Sequence, residues 1–295
     1  MRSRFKKLKN NLIYVAISLM IRGLCGISRR SALSLGRCLG IAAFYILRGE
    51  RKKAESGLRV AFGGSADEGT IRRMALRSFI NLGKNAADAI RLRTMTEAEL
   101  MGLVRAEGLE NFDDALSLGK GTVIITGHIS NWELLGAYLS SAGYPLNVVG
   151  RSLYDPRLDR ILVGTRQRWG MKNIARGRET RNIVRALRNG EMVAFLIDQD
   201  TKTSGIFVDF LGRPAYTPTG PVVLAMRLGS PVVPVSIHRE ADDTYHVKVG
   251  RRIELIDGDL RLNVERCSKA VEREIREHPE EWVWMHERWK TRPEG

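Results

Sequence analysis

This sequence of 295 residues lacks the common nucleotide-binding, serine-hydrolase and zinc-protease signatures. It has no GxGxxG, GxxxxGK(S/T), GxSxG or HExxH run, so a dinucleotide fold, a phosphate loop, a serine nucleophile and a zincin all lack support. Cysteine is scarce as well, because Cys25, Cys38 and Cys267 are widely spaced and form no CxxC pair. They predict a reducing compartment, with neither disulfide bonds nor a zinc site.

Acidic residues are nearly absent from the first sixty positions, where fourteen Lys and Arg stand against only Glu50 and Glu55. The whole chain has a formal net charge of +15, so the remainder is close to neutral. A uniformly basic surface would indicate nucleic acid. A basic segment that is also rich in Leu, Ile and Ala is typical of contact with an anionic membrane surface instead, and we predict no nucleic-acid partner.

Long apolar runs are missing too. Neither Asn10–Ile21 nor Cys38–Leu47 reaches the roughly twenty residues of a membrane-spanning helix without crossing an arginine. A helical hairpin lying in the membrane interface is therefore the first prediction, and a single span through Arg22 is the second. An amphipathic helix docked on the protein's own core stays open. A signal peptide is set aside, because no small-residue cleavage site follows Ile21. We divide the chain into a membrane-associating helical segment, residues 1–60, and one domain, residues 61–295.

Strand and helix patterns alternate in the second part of the chain. The predicted strands are Thr122–Thr126, Leu146–Gly150, Met192–Ile197, Ile206–Phe210, Val232–His238 and Tyr245–Val249. The predicted helices are Thr70–Arg93, Asn131–Ser141, Pro156–Trp169, Arg181–Arg188, Pro221–Leu228 and Val264–Glu277. This alternation predicts an α/β fold, in which a mostly parallel or mixed central sheet is flanked by helices on both faces.

The stretch Gly121–Gly143 places a histidine and a glutamate where a strand, a turn and a helix meet. His128 and Glu133 are five residues apart, so they converge only if His128 lies in the turn and Glu133 in the first helical turn. That arrangement suits a general base and the carboxylate that orients it. Alternatively, Ser130 and Glu133 form a capping box, and the glutamate serves only the helix end.

Three polar side chains follow predicted strands at or near their ends: His128, Arg151 and Asp198. If those strands are parallel neighbours, the three meet at one edge of the sheet, where ligands bind in open α/β folds. The alternative interpretation of these residues is a divalent metal site formed by His128, Asp198 and Asp200 in a hydrolase of anionic lipids.

Four blocks of the sequence resemble one enzyme family. Gly127–Glu133 reads GHISNWE and resembles the GHxGNWE block of the lipid A biosynthesis late acyltransferases, within the HX4(D/E) acyltransferase superfamily. Ser130 stands where glycine is usual. The other blocks are Asp198-Gln199 followed by VDFLG at 208–212, VVPV at 232–235, and WMHERWK at 284–290.

The resemblance implies transfer of a fatty acyl chain from acyl carrier protein, or from acyl-CoA, to a hydroxyl of a lipid A precursor. It implies no metal and no cofactor, and an enzyme on the cytoplasmic face of the inner membrane. His128 would be the general base and Glu133 its orienting partner. Arg151, or backbone amides near Gly212, would stabilise the oxyanion, and Asp198 and Gln199 would line the acceptor pocket. A lysophospholipid or another glycolipid is the alternative acceptor.

Two further interpretations concern charge and aromatic residues. A basic patch for docking the acidic carrier protein is predicted near the site, with a plain solvated face as its alternative. The predicted patch comprises Arg166, Arg168, Lys172, Arg176 and Arg178.

Three tryptophans near the end of the chain, Trp282, Trp284 and Trp289, are interpreted as packing residues.

Overall fold

The computed structural model describes residues 2–175, 180–201 and 203–293, with side chains from Leu8 onward. Its helices are α1 (Arg2–Gly26), α2 (Arg29–Ile46), α3 (Arg48–Phe62), α4 (Glu68–Arg91), α5 (Glu97–Leu103), α6 (Glu110–Ser117), α7 (Trp132–Ser141), α8 (Pro156–Arg168), α9 (Thr180–Arg188), α10 (Gly220–Leu228) and α11 (Leu260–Glu277). A short 3-10 helix covers Pro279–Glu281.

Nine strands are described in the same ranges: β1 (Val104–Glu107), β2 (Thr122–Thr126), β3 (Leu146–Gly150), β4 (Lys172–Ala175), β5 (Met192–Leu196), β6 (Gly205–Phe210), β7 (Arg213–Pro218), β8 (Val232–Arg239) and β9 (Tyr245–Val249). Seven form one sheet in the order β1-β9-β8-β2-β5-β3-β4, and β6 and β7 form a separate antiparallel ribbon. Within the large sheet only β8 and β9 pair antiparallel, so the predicted mixed α/β sheet is confirmed.

Helices cover both faces of this sheet, as the alternation of side chains along β2 requires. Val123 and Ile125 belong to a core cluster with α4, α9, α10 and α11. Ile124, which points the other way, belongs to a second cluster with α5, α6 and α7. All five residues of β2 are buried, so the strand needs an unbroken apolar and β-branched run rather than a polar alternation.

The N-terminal helices pack closely against the domain. A Cβ at Gly36 of α2 would lie 2.5 Å from the Gly83 carbonyl oxygen of α4. The two helix backbones therefore touch where glycine leaves room. Residue 60, the predicted boundary, lies inside α3, and Phe44 and Leu58 are buried in the same core cluster as Ile125. Helices α2 and α3 thus share the core of the domain, as the docked-helix alternative requires.

Helix α1 and one side of α2 expose apolar side chains. Leu12 is 63% exposed and Ile46 is 74% exposed. Among the described helices, none alone is long and apolar enough to cross a membrane, whereas α2 and α3, bent by 91° at their junction, pass that test as a pair.

Three strands were missing from the sequence prediction: β1, β4 and β7. Strands β1 and β4 have only four residues each and lie at the edges of the sheet. Strand β7 carries Pro214 and Pro218, and proline argues against a strand because it cannot donate to the ladder. A two-stranded ribbon tolerates it, because the second side of each strand is unpaired.

Candidate active site

The register of two neighbouring strands brings His128 to Asp198. Strands β2 and β5 are parallel, and Thr126 pairs with Leu196. His128 and Asp198 each lie two residues beyond that pair, so both side chains emerge at the same edge of the sheet. Gly127 permits the approach, since a Cβ there would lie 2.9 Å from Val271 Cγ1 and 3.3 Å from Asp198 Oδ2.

The Asp198 carboxylate is buried and accepts three hydrogen bonds. His128 Nδ1 lies 2.8 Å from Oδ1, while the His128 backbone N–H and Trp282 Nε1 donate to Oδ2 at 2.7 and 2.6 Å. Burial raises the pKa of Asp198, but the charge of His128 and these hydrogen bonds outweigh it and lower the pKa to about 2. The carboxylate is therefore ionised at neutral pH.

An ionised Asp198 determines the tautomer of the imidazole. Because a carboxylate only accepts, His128 Nδ1 carries a proton, and the neutral form of the ring has its lone pair at Nε2. The His128 side chain is 21% exposed, so a substrate hydroxyl has access to the ring. This is the arrangement of a general base with an orienting carboxylate.

Two rings flank the imidazole. The His128 ring centroid lies 5.0 Å from that of Trp132, edge to face, and 5.5 Å from that of His286. Gln199 contacts His286 Nε2 through its side-chain amide. Burial, and then the nearby His128, lower the pKa of His286, which keeps this second imidazole neutral at pH 7.

Glu133, predicted to orient His128, is bound elsewhere. Arg166 donates to its carboxylate from Nε at 2.9 Å and from Nη2 at 2.6 Å. The carboxylate in contact with the imidazole is that of Asp198. The alternative capping box is not formed either, because Asn131 is the N-cap of α7 and accepts the Leu134 N–H at 3.1 Å. The spacing in the sequence places Glu133 near the site, but its carboxylate binds Arg166 of α8 and not His128.

The other predicted site residues are spread along the sheet edge. Arg151 follows β3 and is exposed, and Gly212 lies in the β6–β7 turn with a φ of 83°. Within the described ranges, no hydrogen bond or ion pair joins either residue to His128. Asp198 and Gln199 lie at the histidines, as hydrogen-bond partners of His128 and His286 respectively.

The predicted carrier-docking patch is largely occupied by internal contacts. Arg166 binds Glu133, and Arg168 donates to the backbone carbonyls of Leu92 and Met95. Lys172 pairs with Glu191 at 2.7 Å. Arg176 and Arg178 lie outside the described residues. Arg166 and Arg168 therefore hold α8 against the rest of the domain.

The C-terminal segment packs over the turn that carries His128. The Ser130 N–H donates to the Glu281 carbonyl at 2.8 Å, and the Val283 N–H donates to the His128 carbonyl at 3.3 Å. Ser130 adopts a φ of 48°, a left-handed conformation that costs other residues about 1–2 kcal/mol more than glycine. That geometry explains why glycine is usual at this place in the block.

Sequence reasoning missed the site roles of Trp282, His286 and Arg166. Trp282 does more than pack, since it donates to Asp198, and His286 faces the His128 imidazole. The signal that pointed to the first two was the unusual C-terminal run WVWMHERWK. Arg166 left no such signal, because it is one of several arginines on an amphipathic helix.

An apolar pocket of about 420 Å³ lies between α1, α2 and α4. One end is lined by Glu50 and Met285. Met285 precedes His286 in the sequence, so this end of the pocket lies next to the segment that carries His286. The other end is lined by Leu24, Gly36, Ala87 and Ile90. A second pocket of about 240 Å³, which Glu133 lines, lies between α1, α4 and α8.

Two of the acidic groups considered for a metal are engaged in hydrogen bonds. Asp198 binds His128 and Trp282, and Asp200 accepts the Thr291 N–H at 2.8 Å. The described part of the chain contains no group of three or more His, Cys, Asp or Glu side chains arranged to hold a metal ion.

The sequence is similar to proteins of one enzyme family. The model of the bacterial lipid A biosynthesis acyltransferases matches residues 2–291. The chain is 28% identical to the lipid A biosynthesis palmitoleoyltransferase of Escherichia coli (strain K12), over 88% of this chain and 85% of that protein. It is 25% identical to the lauroyltransferase of the same organism, over 88% and 86%. It is 23% identical to the phosphatidylinositol mannoside acyltransferase of Mycobacterium tuberculosis (strain CDC 1551 / Oshkosh), over 98% and 91%. Because the family model spans nearly the whole chain, this protein is an acyltransferase and belongs to the bacterial lipid A biosynthesis acyltransferase family.

Proposed function

We propose that this glycolipid acyltransferase moves a fatty acyl chain from acyl carrier protein, or from acyl-CoA, to a hydroxyl of a lipid A precursor. The observation that carries the proposal is the His128–Asp198 pair, together with an apolar pocket that is lined by Met285, the chain neighbour of His286. Relatives named for lipid A and for phosphatidylinositol mannoside match 88% and 98% of this chain, so a phosphatidylinositol mannoside is the second acceptor to test.

The reaction needs a base and then an acid, and one histidine supplies both. His128 Nε2 takes the proton of the acceptor hydroxyl as that oxygen attacks the thioester carbonyl. The tetrahedral intermediate then collapses, the carbon–sulfur bond breaks, and the imidazolium returns the proton to the leaving thiolate. Asp198 stabilises the imidazolium between these two steps. Base catalysis of this kind contributes about 10²–10⁴-fold.

The Glu133–Arg166 ion pair has a supporting role in this mechanism. We expect Glu133→Gln to lower the free energy of unfolding by about 1–3 kcal/mol, since charged hydrogen bonds to a half-buried guanidinium are lost. The pH at which the acid limb of the kcat–pH profile falls should be unchanged, because Glu133 does not contact His128. Chemical denaturation and the pH profile measure both effects. Glu97→Gln, on an exposed helix start, is the control. A shifted acid limb in Glu133→Gln alone would restore Glu133 as the orienting carboxylate.

We assign the acyl chain of the donor to the 420 Å³ pocket. Its volume falls within the roughly 300–1,000 Å³ of small-ligand sites. The axis of α2 rises about 16 Å from Gly36 to Leu47, which sets the length available to the chain. Nearly all lining side chains are apolar, so burial of methylene groups supplies the binding free energy, about 0.8 kcal/mol for each.

Filling the far half of this pocket should shorten the preferred acyl chain. Ala86 lines it from the exposed side of α4, and leucine there extends into the open space. We expect Ala86→Leu to lower kcat/KM for long acyl donors about tenfold or more relative to short ones, as two or three methylene groups lose their site. Competition between acyl donors of different length measures the ratio. Ala89→Leu, one turn along α4 in the 240 Å³ pocket, is the matched control. An equal shift in both variants would contradict the assignment.

The same proposal places the enzyme at the cytoplasmic face of the inner membrane. The exposed side chains Leu8, Leu12 and Leu19 of α1 supply apolar contact with the membrane. Each Lys or Arg of the N-terminal segment that lies near an anionic leaflet adds about 1 kcal/mol to the free energy of membrane binding. Residues Leu153 and Tyr154, in the loop after β3, are exposed as well.

Removing residues 2–20 should weaken membrane binding without unfolding the domain. Residues 8–20 of α1 are mostly exposed, whereas Leu24 is buried. We expect turnover on anionic vesicles to fall about tenfold or more relative to turnover of detergent-dispersed acceptor. The reason is that several basic and apolar contacts with the membrane are lost. Vesicle sedimentation and the two rates measure the effect. Full sedimentation of the shortened protein would assign the membrane contact to another surface.

The function itself is tested with the purified protein, acyl carrier protein or CoA thioesters, and three acceptors: a lipid A precursor, a lysophospholipid and a phosphatidylinositol mannoside. We expect the lipid A precursor to gain the mass of one acyl group, with activity unchanged by EDTA. Thioester cleavage without an acylated lipid, or activity abolished by EDTA and restored by one metal, would contradict the proposal.

A further inference from the structure

A cluster of buried polar side chains lies behind the catalytic turn. Asp88 of α4 and Tyr245 of β9 are fully buried, and the Arg239 side chain is 3% exposed. Asn85 and Asn131 are buried beside them. Burying so many polar and charged groups is costly unless every one is paired. None of these residues takes part in the proton transfers described above.

Asp88 is the centre of this cluster. Its Oδ2 accepts the Tyr245 hydroxyl at 2.8 Å and Arg239 Nη1 at 3.1 Å. Arg29 binds the same carboxylate in a bidentate manner, from Nε and Nη2 at 2.9 Å each. Burial and then the negative charge of Asp88 raise the pKa of Tyr245 well above its ordinary value. The hydroxyl therefore stays protonated and remains a donor to Asp88.

One end of the cluster holds the catalytic turn. Asn131, three residues after His128, donates from Nδ2 to the Tyr245 hydroxyl at 3.3 Å and to the Asn85 carbonyl at 3.2 Å. Its Oδ1 caps α7. The position of the turn thus depends on Tyr245 from one side and on the C-terminal segment from the other.

The other end holds the N-terminal helices. Arg29 is the first residue of α2, directly after the junction with α1, whose apolar side chains are exposed. Arg91 of α4 reinforces this junction by donating to the Leu24 carbonyl at 2.8 Å. A continuous path of hydrogen bonds therefore runs Arg29–Asp88–Tyr245–Asn131, from the start of α2, next to its junction with α1, to the turn that carries His128.

We infer that Arg29, Asp88 and Tyr245 are positioning residues that couple the seating of α1 and α2 to the placement of the catalytic turn. When the helix pair is seated, Asp88 is held by Arg29 and orients the Tyr245 hydroxyl toward Asn131. When it is displaced, Asp88 loses its bidentate partner and the turn loosens. This inference rests on the proposed role of His128.

The test compares Arg29→Gln with Arg30→Gln, the exposed neighbour that removes the same charge. Hydrogen exchange, read by mass spectrometry on the full chain, reports the turn without requiring activity. In Arg29→Gln we expect the amides of residues 127–135 to exchange about tenfold faster or more, as loss of a charged hydrogen bond implies. The amides of β2 should be unchanged. In assays, kcat should fall about 10–100-fold with KM unchanged, because a small misplacement of the base affects only the chemical step.

A second variant keeps the inference falsifiable if Arg29→Gln does not fold. Tyr245→Phe removes one oxygen atom from the same path and should reproduce the faster exchange at 127–135 and the lower kcat. In the double variant the two effects should be less than additive, since both break one path. Wild-type exchange in Tyr245→Phe, equal behaviour of the two arginine variants, or faster exchange spread over β2 would each overturn the coupling. If the wild-type protein transfers no acyl group, the proposed function fails, while the exchange data still decide this inference.

Discussion

Replacing His128 by alanine is expected to lower acyl transfer about 10²–10⁴-fold while the protein stays folded. The ring supplies the base that takes the acceptor proton and returns it to the leaving thiol. Without the ring, Asp198 still accepts hydrogen bonds from the backbone amide of residue 128 and from Trp282 Nε1. The buried carboxylate therefore keeps two hydrogen-bond donors. Initial rates with a labelled thioester and a thermal melt measure activity and fold together.

His246→Ala is the matched control for that experiment. The His246 side chain on β9 is 17% exposed, close to the exposure of the His128 side chain. It lies beside Glu107 and Glu240 and has no contact with the catalytic pair. Wild-type turnover is expected for this variant. A His128→Ala protein that retains more than about a tenth of wild-type activity would contradict the role of His128 as base.

Asp198→Asn should be as damaging as loss of the base, with a fall in kcat of about 10⁴-fold. The asparagine Oδ1 still accepts from the His128 backbone N–H and from Trp282. Its amide group then faces His128 Nδ1 and donates to it, which moves the ring proton to Nε2 and removes the base. Single-turnover rates measure the chemical step directly. Activity near that of the Glu133→Gln variant would show that Asp198 does not control the tautomer.

The same variant changes the acid stability of the protein. The folded-state pKa of Asp198 is about 2, below the roughly 3.9 of an unperturbed aspartate. Its ionised form therefore stabilises the fold above about pH 4, and that contribution is lost as the pH falls toward 2. Denaturation between pH 5 and pH 2, compared for wild type and Asp198→Asn, should show a shallower decline in the variant.

Local sequence patterns placed His128 in the turn after a strand, as the structure has it, but did not identify the carboxylate that contacts it. His128 lies in the turn after β2, as the strand run and Gly127 indicated. Glu133 and Asp198 were both singled out, and both lie near the site. Their roles depend on contacts from distant segments, since Arg166 occupies Glu133 while Asp198 is two residues beyond the strand paired to β2.

The N-terminal segment illustrates the same limit in a different way. Its charge and apolar runs predicted helices, and α1 and α2 are present with exposed apolar side chains. The close packing of α2 on α4 depends on Gly36, Gly40 and Gly83 meeting across two helices. A glycine in a helical pattern does not indicate which residue of another helix it will contact. The sequence therefore did not predict that α2 shares the core of the domain.

By itself, the sequence determined the order of most strands and helices, the mixed α/β class, the place of His128 at a strand end and the family blocks. These depend on short-range properties: side-chain periodicity, β-branching, turn-forming glycines and motif spacing. Only the tertiary structure decided which carboxylate orients the imidazole, that Trp282 and His286 belong to the site, and that Arg29 reaches Asp88. Each of those pairings joins residues far apart in the chain, and strand order, register and helix packing bring them together.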